Sequence, residues 1–131
     1  MDKDAKILVV DDFAKMREII GDLLGTLGYK RVEEADDGAT ALPKLHAGDF
    51  DLLILDWNMP GMNGLELLEA MRADPELDRL PVLMVTAEDR HEQIRVALDT
   101  GIDAYIIKPF TERTLGQKLT EIGEKLAATA C

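Results

Sequence analysis

Residues 52–64, with the sequence LLILDWNMPGMNG, open with four consecutive apolar residues and continue into an acidic residue, a proline and glycines. A short apolar run bounded by turn residues is typical of a strand that is covered on both faces. Directly after the turn, apolar residues recur at helical spacing at Leu65, Leu68 and Met71. The segment therefore predicts a buried strand, a turn and an amphipathic helix, the unit from which an α/β fold is built.

This pattern of a strand followed by a helix recurs along the whole chain. Short apolar runs predict five strands, at residues 6–10, 31–35, 52–55, 81–86 and 104–107. Each is followed by a longer segment whose apolar residues recur every three or four positions, as on one face of a helix. Alternating strands and helices imply right-handed crossovers and a parallel sheet with helices on both faces. The predicted fold class is α/β, a doubly wound (βα)5 five-stranded parallel sheet.

Several residues predict where these helices begin and end. Gly28 and Gly101 stand where the first and fourth helices should stop, because glycine adopts the left-handed conformation of a helix terminus at little cost. Pro43 lies inside the second helical segment and removes a backbone donor, so we expect it to kink or delay that helix. Two pairs have the spacing of a capping box, Asn63 with Glu66 and Thr86 with Asp89.

The composition limits the class of protein. A chain of 131 residues with 47% apolar residues corresponds to one globular domain, which we place over residues 1–131 with its core at about 5–128. The net charge of −11 excludes a basic nucleic-acid-binding surface, and no apolar run is long enough to span a membrane. The single cysteine, Cys131, excludes an intrachain disulfide. With no targeting segment in view, we expect a cytoplasmic monomer that binds neither nucleic acid nor membrane.

Polar residues that could carry chemistry follow four of the five predicted strands. Asp11 and Asp12 come after the first strand, Asp56 follows the third, Thr86 ends the fourth and Lys108 follows the fifth. The carboxyl ends of parallel strands meet at one edge of the sheet, where ligands bind in this class of fold. We therefore expect three carboxylates, one hydroxyl and one ammonium group to converge there.

These residue types suit phosphoryl transfer. Crowded carboxylates without histidine or cysteine offer oxygen ligands only, which is the donor set that Mg²⁺ prefers. An aspartate carboxylate can also act as a nucleophile toward phosphorus and form an aspartyl phosphate. Such transfer depends mainly on positioning and on positive charge around the phosphoryl oxygens. Lys108, the Thr86 hydroxyl and backbone N–H groups would supply that environment.

The motifs around these residues resemble those of a known family. They are Val-Val-Asp11-Asp12-Phe, Asp56-Trp-Asn-Met-Pro-Gly, Leu-Met-Val-Thr86-Ala-Glu and Tyr105-Ile-Ile-Lys108-Pro-Phe-Thr. Over nearly its whole length the chain resembles the receiver domains of two-component response regulators, and more narrowly the single-domain chemotaxis regulators. The resemblance implies a single receiver domain with a flavodoxin-like sheet in the strand order 2-1-3-4-5.

The resemblance also implies a metal and a phosphorylation site. Asp56 would be the phosphoacceptor. Asp12 and Asp56 would bind Mg²⁺ directly together with the backbone carbonyl of Asn58, and Asp11 would act mainly through water. Asn58 and Glu88 stand at the positions that tune the rate of dephosphorylation in the family.

Three further residues would connect phosphorylation to a change in shape. Lys108 would hold the acceptor carboxylate and then the phosphoryl group, beside a cis peptide bond to Pro109. Thr86 would bond to a phosphoryl oxygen and move inward, and Tyr105 would follow it from an exposed to a buried rotamer. The fourth helix, fifth strand and fifth helix would then present an altered surface to partners.

The function implied is that of a signalling switch. A histidine kinase, by resemblance the chemotaxis kinase, would phosphorylate Asp56, and the phosphorylated form would bind the flagellar motor switch protein to control rotation direction. A dedicated phosphatase is a further candidate partner. The protein would not be an enzyme with an external substrate, but a phosphoacceptor that assists its own phosphorylation and dephosphorylation.

Three other functions are open to the sequence. A receiver that stands alone can serve as a phosphate sink or phosphorelay intermediate without binding a motor. A metal-dependent phosphatase with an aspartate nucleophile usually needs a second acid two residues later, where this chain has Asn58. A flavin or nucleotide binder of the same fold would need a glycine-rich phosphate loop, which the sequence lacks.

Some positions depart from the family pattern. Lys15 is expected to lie near the acidic cluster and weaken Mg²⁺ binding slightly, and Asp89 to slow access to the phosphoacceptor. Residues 102–104 replace a stretch of small residues that we expect near the partner surface. His46 and His91 are predicted to be surface residues without carboxylate or cysteine neighbours.

Overall fold

The computed structural model describes residues 2–57, 59, 63–87 and 91–130. Within them, five strands alternate with five helices. The elements are β1 (Lys6–Val10), α1 (Ala14–Thr26), β2 (Arg31–Ala35), α2 (Gly38–Ala47), β3 (Leu52–Asp56), α3 (Gly64–Arg72), β4 (Val82–Ala87), α4 (His91–Thr100), β5 (Ala104–Lys108) and α5 (Glu112–Ala130). All strand pairs are parallel, in the order β2-β1-β3-β4-β5. The predicted fold class and strand order are confirmed.

The central strands are buried because both faces of the sheet are covered. Every residue of β3 is buried, and successive side chains point to opposite faces. Leu53 and Leu55 belong to a core with α2, α3 and α4, whereas Leu52 and Ile54 belong to a second core with α1 and α5. This two-sided burial explains why the strands consist of continuous apolar runs rather than alternating ones.

The first helix ends as its glycine predicts. Gly28 has a φ of 101°. The N–H of Gly28 donates to the carbonyl of Gly25 at 3.0 Å, and the N–H of Tyr29 donates to that of Leu24 at 2.9 Å. These two bonds form the Schellman motif, which satisfies carbonyls that the helix leaves free. Gly101, with a φ of 121°, follows α4, and its N–H donates to the carbonyl of Ala97 at 2.9 Å, so both glycine predictions are confirmed.

One predicted capping box is confirmed and the other is wrong. The Asn63 side chain accepts from the N–H of Glu66 at 2.9 Å, and the Glu66 side chain accepts from the N–H of Asn63. Thr86, by contrast, lies within β4, and the next residue, Ala87, is still in the strand. The pairing of β4 with β5 overrides the local capping signal there, and Asp89 lies outside the described residues.

Pro43 does not delay the second helix. The helix begins at Gly38 and continues through Pro43 to Ala47. The Asp37 side chain caps it by accepting from the N–H of Thr40 at 2.7 Å. The buried residues Ala41 and Leu45 pack against the sheet and offset the backbone bond that proline removes.

The structure corrects two predictions about surface residues. His46 does have carboxylate neighbours, because its ring nitrogens lie 2.9 Å from Asp74 and from Glu76. Lys15 points to Glu18, 3.6 Å away, rather than into the acidic cluster. Within residues 102–104, Ile102 and Ala104 are buried, and the expected place of this stretch near the partner surface stays a prediction. In the part of the chain that the structure describes, no helix is long and apolar enough to cross a membrane.

Candidate functional site

Asp11 and Asp56 lie side by side at the carboxyl ends of two central strands. Asp56 is the last residue of β3, and Asp11 follows β1 directly. Val10 and Leu55, the residues before them, are register partners in the β1–β3 pair. Both side chains are almost inaccessible, with 1% of Asp11 and 4% of Asp56 exposed. The parallel register therefore places two buried carboxylates next to each other.

Hydrogen bonds fix one oxygen of Asp11 and leave the other without a partner. Its Oδ1 accepts from the N–H of Phe13 at 2.9 Å, and its backbone carbonyl accepts from the Arg17 guanidinium at 2.7 Å. Its Oδ2 is buried and has no hydrogen-bond partner among the described residues. Burial raises the pKa of the Asp11 carboxyl above its usual value, and the bond from Phe13 opposes that rise.

Lys108 supplies positive charge to this pair. It is the last residue of β5, and its Nζ lies 3.2 Å from Oδ1 of Asp56 and 3.9 Å from Oδ2 of Asp11. The peptide bond from Lys108 to Pro109 is cis, as the resemblance implied. One ammonium group therefore faces two buried carboxylates, and the cluster retains an excess of negative charge when both are ionised.

Asp12 adds a third carboxylate to the cluster and so increases its excess of negative charge. Asp11, Asp12 and Asp56 each offer a carboxylate oxygen, and these oxygens all lie within 4.8 Å of one another. Asp12 is exposed, so the cluster opens to solvent on its side. A cluster of hard oxygen donors fits Mg²⁺, and it includes a buried oxygen, Oδ2 of Asp11, that has no hydrogen-bond partner among the described residues. Asn58, predicted to add a backbone carbonyl, lies outside the described residues.

Thr86 places a buried hydroxyl beside the acidic cluster. It follows Val85, the register partner of Asp56 in the β3–β4 pair. Only 1% of Thr86 is exposed, and its Oγ1 finds no hydrogen-bond partner within the described ranges. A buried hydroxyl without a partner costs free energy, so this group is suited to a partner that arrives from outside.

Tyr105 lies on the next strand in a half-buried position. It pairs with Met84 in the β4–β5 register, two residues before Thr86. Lys118 of α5 places its Nζ 5.5 Å from the centre of the Tyr105 ring. Tyr105 is therefore neither fully exposed nor fully buried, and the change of rotamer that the resemblance implied stays a prediction.

Gly64 lets α3 begin close to the phosphoacceptor candidate. Its N–H donates to the carbonyl of Trp57 at 2.9 Å. A Cβ atom at position 64 would lie 2.5 Å from the carbonyl oxygen of Asp56 and 2.8 Å from Cα of Trp57. Both are backbone atoms that cannot rotate away, so a residue with a side chain would displace α3 from the end of β3.

Arg17 is a site residue that the sequence reasoning missed. Besides the carbonyl of Asp11, it binds Glu34, with its Nε 3.0 Å from the Glu34 carboxylate. It thus ties α1 to the ends of β1 and β2. A cation in the second turn of the helix after an acidic strand end is a signal that could have indicated this role.

The comparisons with known proteins agree with this geometry. Residues 7–120 match the family model of the response regulator receiver domain. The chain belongs to this family. This receiver domain is 56% identical over 126 residues to the chemotaxis protein CheY-3 of Vibrio cholerae. The alignment covers 96% of this chain and 97% of that protein. It is 55% identical over 121 residues to the chemotaxis protein CheY of Pseudomonas aeruginosa, covering 92% and 98% of the two chains.

Solved structures show the same receiver fold. The chemotaxis protein CheY4 of Vibrio cholerae superposes with a TM-score of 0.83 at 36% identity, covering 91% of this chain and 98% of that one. The signal receiver domain of a signal transduction histidine kinase from Syntrophus aciditrophicus superposes with a TM-score of 0.81 at 28% identity, covering 90% and 89%. The receiver domain described here is thus a response regulator of CheY type.

The structure brings most of the predicted site residues of this receiver domain together. The carboxylates of Asp11, Asp12 and Asp56 form one cluster with the ammonium group of Lys108. Thr86 lies one residue beyond Val85, the register partner of Asp56 on β4. Glu88, like Asn58, lies outside the described residues, so their roles in tuning dephosphorylation remain predictions.

Proposed function

We propose that this receiver domain accepts a phosphoryl group on Asp56 from a histidine kinase in a Mg²⁺-dependent reaction and then binds the flagellar motor switch. The observation that carries the proposal is the contact of 3.2 Å between Lys108 and a buried Asp56 at the edge of a three-carboxylate cluster. The CheY-type relatives, both described as chemotaxis proteins, support chemotaxis as the signalling pathway.

Asp56 is suited to be the nucleophile. In the reaction, a carboxylate oxygen of Asp56 forms a bond to phosphorus while the bond from phosphorus to the kinase histidine nitrogen breaks. Lys108 already faces Oδ1 of Asp56, so it is placed to offset negative charge on the transferring group. The backbone on either side of Asp56 is held by strand pairing with β1 and β4, which keeps the carboxylate positioned.

Asp11, Asp12 and Asp56 would hold Mg²⁺, with the backbone carbonyl of Asn58 as the further ligand that the family implies. Bound there, Mg²⁺ would neutralise charge on the phosphoryl oxygens and on the crowded carboxylates. Asp11 contributes an orientation that is already set, because the N–H of Phe13 holds one of its oxygens and leaves the other free for the metal or its water.

Thr86 and Tyr105 would convert phosphorylation into a change of surface. The Thr86 hydroxyl, which has no partner among the described residues, would donate to a phosphoryl oxygen on Asp56. Its movement would open space beside β5 for the half-buried Tyr105. Because Tyr105 contacts Lys118 of α5, the change would reach the face formed by α4, β5 and α5, where the motor switch would bind.

We further propose that the protein acts in the cytoplasm as a monomer and as a phosphoacceptor, not as an enzyme with an external substrate. The phosphoryl group would leave by hydrolysis at the same site, assisted by Asn58, Glu88 and a dedicated phosphatase. The alternative is a phosphate sink or phosphorelay intermediate. Receiver folds do occur in other contexts, since one neighbour is the receiver domain of a histidine kinase.

Intact mass after incubation with acetyl phosphate and Mg²⁺ tests the phosphoacceptor. We expect one added phosphoryl group, which is absent with Asp56→Asn and absent when EDTA replaces Mg²⁺. Trp57 is the single tryptophan and adjoins Asp56, so Mg²⁺ titration should also change its fluorescence. An adduct that persists in Asp56→Asn would place the phosphoryl group elsewhere, and unchanged fluorescence at saturating Mg²⁺ would argue against the metal site.

Binding of a motor-switch peptide distinguishes the motor function from the alternative. We expect the peptide to bind more tightly when the receiver carries beryllofluoride, a mimic of the phosphoryl group, than when it does not. Equal binding in both states, with normal phosphorylation of Asp56, would support the phosphate sink or relay. Failure to phosphorylate Asp56 at all would remove both functions.

A further inference from the structure

A second cluster of side chains of the metal-binding types lies at the opposite end of the sheet, where the strands begin. His46 is in the last turn of α2, which leads to the start of β3, and Asp74 and Glu76 lie between α3 and the start of β4. The Asp74 carboxylate is 2.9 Å from Nε2 of His46, and the Glu76 carboxylate is 2.9 Å from Nδ1. One ligand atom from each of the three residues can be chosen so that all lie within 4.8 Å of one another.

We propose that His46, Asp74 and Glu76 bind a divalent transition-metal ion of the Zn²⁺ type. One imidazole nitrogen with two carboxylate oxygens is a donor set that Zn²⁺ accepts, whereas Mg²⁺ and Ca²⁺ prefer oxygen ligands alone. The cluster thus differs in metal preference from the all-oxygen cluster at Asp56. The net charge of −11 further attracts any cation to this surface.

Asp74 is already oriented for this role. Its Oδ1 accepts from the N–H of Glu76 at 2.9 Å, and its backbone carbonyl accepts from the N–H groups of Leu77 and Asp78. These bonds fix the residue and turn Oδ2 toward Nε2 of His46. Second-sphere hydrogen bonds of this kind orient carboxylate ligands in metal sites.

His46 and Asp74 need only a small adjustment to share an ion, whereas Glu76, which now faces Nδ1, must move to the Nε2 side. Bonds of about 2.1 Å in a tetrahedral site separate two ligand atoms by about 3.4 Å, slightly more than the present 2.9 Å between His46 and Asp74. The ion would take the place of the proton between Nε2 and Oδ2. Glu76 has 74% of its side chain exposed, so its carboxylate is free to swing to the Nε2 side, and water would complete the coordination.

Calorimetric titration with ZnCl₂ tests the proposal. The protein carries Cys131→Ser to remove the thiol as a competing ligand, and saturating Mg²⁺ occupies the cluster at Asp56. We expect one Zn²⁺ per chain, and we expect His46→Gln to lose measurable binding, because the site then lacks its only nitrogen ligand and keeps two carboxylates alone. Asp74→Asn should also weaken binding, because its amide oxygen can keep the bond to Glu76 but loses the negative charge.

His91→Gln is the matched control. His91 is exposed at the start of α4 and is not part of the cluster, so its removal should leave the isotherm unchanged. The ring-proton NMR signals of His46, and not those of His91, should shift with added Zn²⁺. Equal binding by the parent and His46→Gln, or no binding by the parent, would show that the three residues form only an ion-pair network between α2 and the loop that follows α3.

This inference stands apart from the phosphorylation function. Phosphorylation of Asp56 by acetyl phosphate, measured in His46→Gln without Zn²⁺, should proceed at the rate of the parent protein. A variant that is phosphorylated normally is also folded, so loss of Zn²⁺ binding in it reports on the ligand and not on unfolding.

Discussion

The ammonium nitrogen of Lys108 lies 3.2 Å from Oδ1 of Asp56 and 3.9 Å from Oδ2 of Asp11. The lysine thus occupies the position of a cation between two buried carboxylates. A metal ion bound by the same carboxylates would compete with it for their negative charge. The same ammonium group would be needed once a phosphoryl group adds charge to Asp56.

Lys108→Ala should therefore change two properties in opposite directions. Mg²⁺ affinity, measured by Trp57 fluorescence, should rise because the carboxylates lose a competing cation. The rate of phosphorylation by acetyl phosphate should fall by about 100-fold, since a positioned charge no longer meets the transferring group. Lys15→Ala, at an exposed lysine paired with Glu18, serves as the control and should alter neither property measurably. If Lys108→Ala bound Mg²⁺ more weakly than the parent, Lys108 and Mg²⁺ would not compete for the same carboxylates.

Asp11→Asn should stabilise the metal-free protein in a pH-dependent way. Burial raises the folded-state pKa of Asp11 above its unfolded value near 3.8, so the ionised carboxylate opposes folding. That penalty is absent below the unfolded value and grows as pH rises through the folded-state pKa. The advantage of Asp11→Asn over the parent should accordingly increase from acidic pH toward neutrality.

Urea denaturation at several pH values in EDTA measures this difference in unfolding free energy. Asn keeps an oxygen that can accept from the N–H of Phe13, so the local hydrogen bond is retained. Asp12→Asn, at the exposed member of the cluster, controls for the change in charge alone. Saturating Mg²⁺ should reverse the order of stability, because the parent would bind the metal more tightly. If the stability advantage of Asp11→Asn over the parent instead decreased toward neutral pH, burial of an ionised Asp11 would not be its cause.

Thr86→Val should separate the stability of the unphosphorylated form from signalling. The Thr86 hydroxyl is buried and has no partner among the described residues, so its replacement by a methyl group should stabilise the unphosphorylated protein by about 1 kcal/mol. The same variant should lose the beryllofluoride-dependent gain in motor-peptide binding, whereas Thr86→Ser should keep it. Destabilisation by Val, measured in urea without Mg²⁺, would mean that the hydroxyl is satisfied.

Gly64→Ala should disturb both the fold and the phosphoacceptor. The added Cβ would meet the carbonyl oxygen of Asp56 at 2.5 Å, so α3 must shift, at a cost of about 1–3 kcal/mol. Phosphorylation of Asp56 should slow, because the end of β3 moves with it. Gly21→Ala is the matched control, since nothing lies within 4 Å of its Cβ position and it should stabilise α1 by about 0.5–1 kcal/mol. Thermal unfolding and phosphorylation rates distinguish the two variants. If Gly64→Ala and Gly21→Ala were equally stable and equally fast, the start of α3 would not lie against the backbone of Asp56.

Local sequence was sufficient where burial on both faces left a simple pattern. The bounds of β1 and β2 agree with the predicted 6–10 and 31–35, and β3 and β5 extend one residue beyond their predicted ends. The glycines that follow α1 and α4 were also predictable, because a positive φ is a property of a single residue. The convergence of Asp11, Asp56 and Lys108 followed from parallel strands alone, which all end at the same edge.

Local sequence failed where a distant segment decides the outcome. Thr86 has the spacing of a helix cap but lies in β4, because the pairing with β5 extends beyond it. Pro43 is tolerated inside α2 because the helix is capped by Asp37 and packed on the sheet. Arg17 contacts Asp11 and His46 contacts Asp74 across loops of the fold. The periodicity of apolar residues does not predict such polar contacts.

The sequence by itself determined the five strand–helix units, the acidic strand ends and, through the resemblance of its motifs, the family and strand order. Each of these depends on residues close together in the chain or on whole motifs. The tertiary structure decided that Oδ2 of Asp11 and Oγ1 of Thr86 are buried with no hydrogen-bond partner in the described part of the chain, and that His46 meets two carboxylates. These features arise from packing between elements far apart in sequence, where a shift of about one ångström makes or breaks a hydrogen bond.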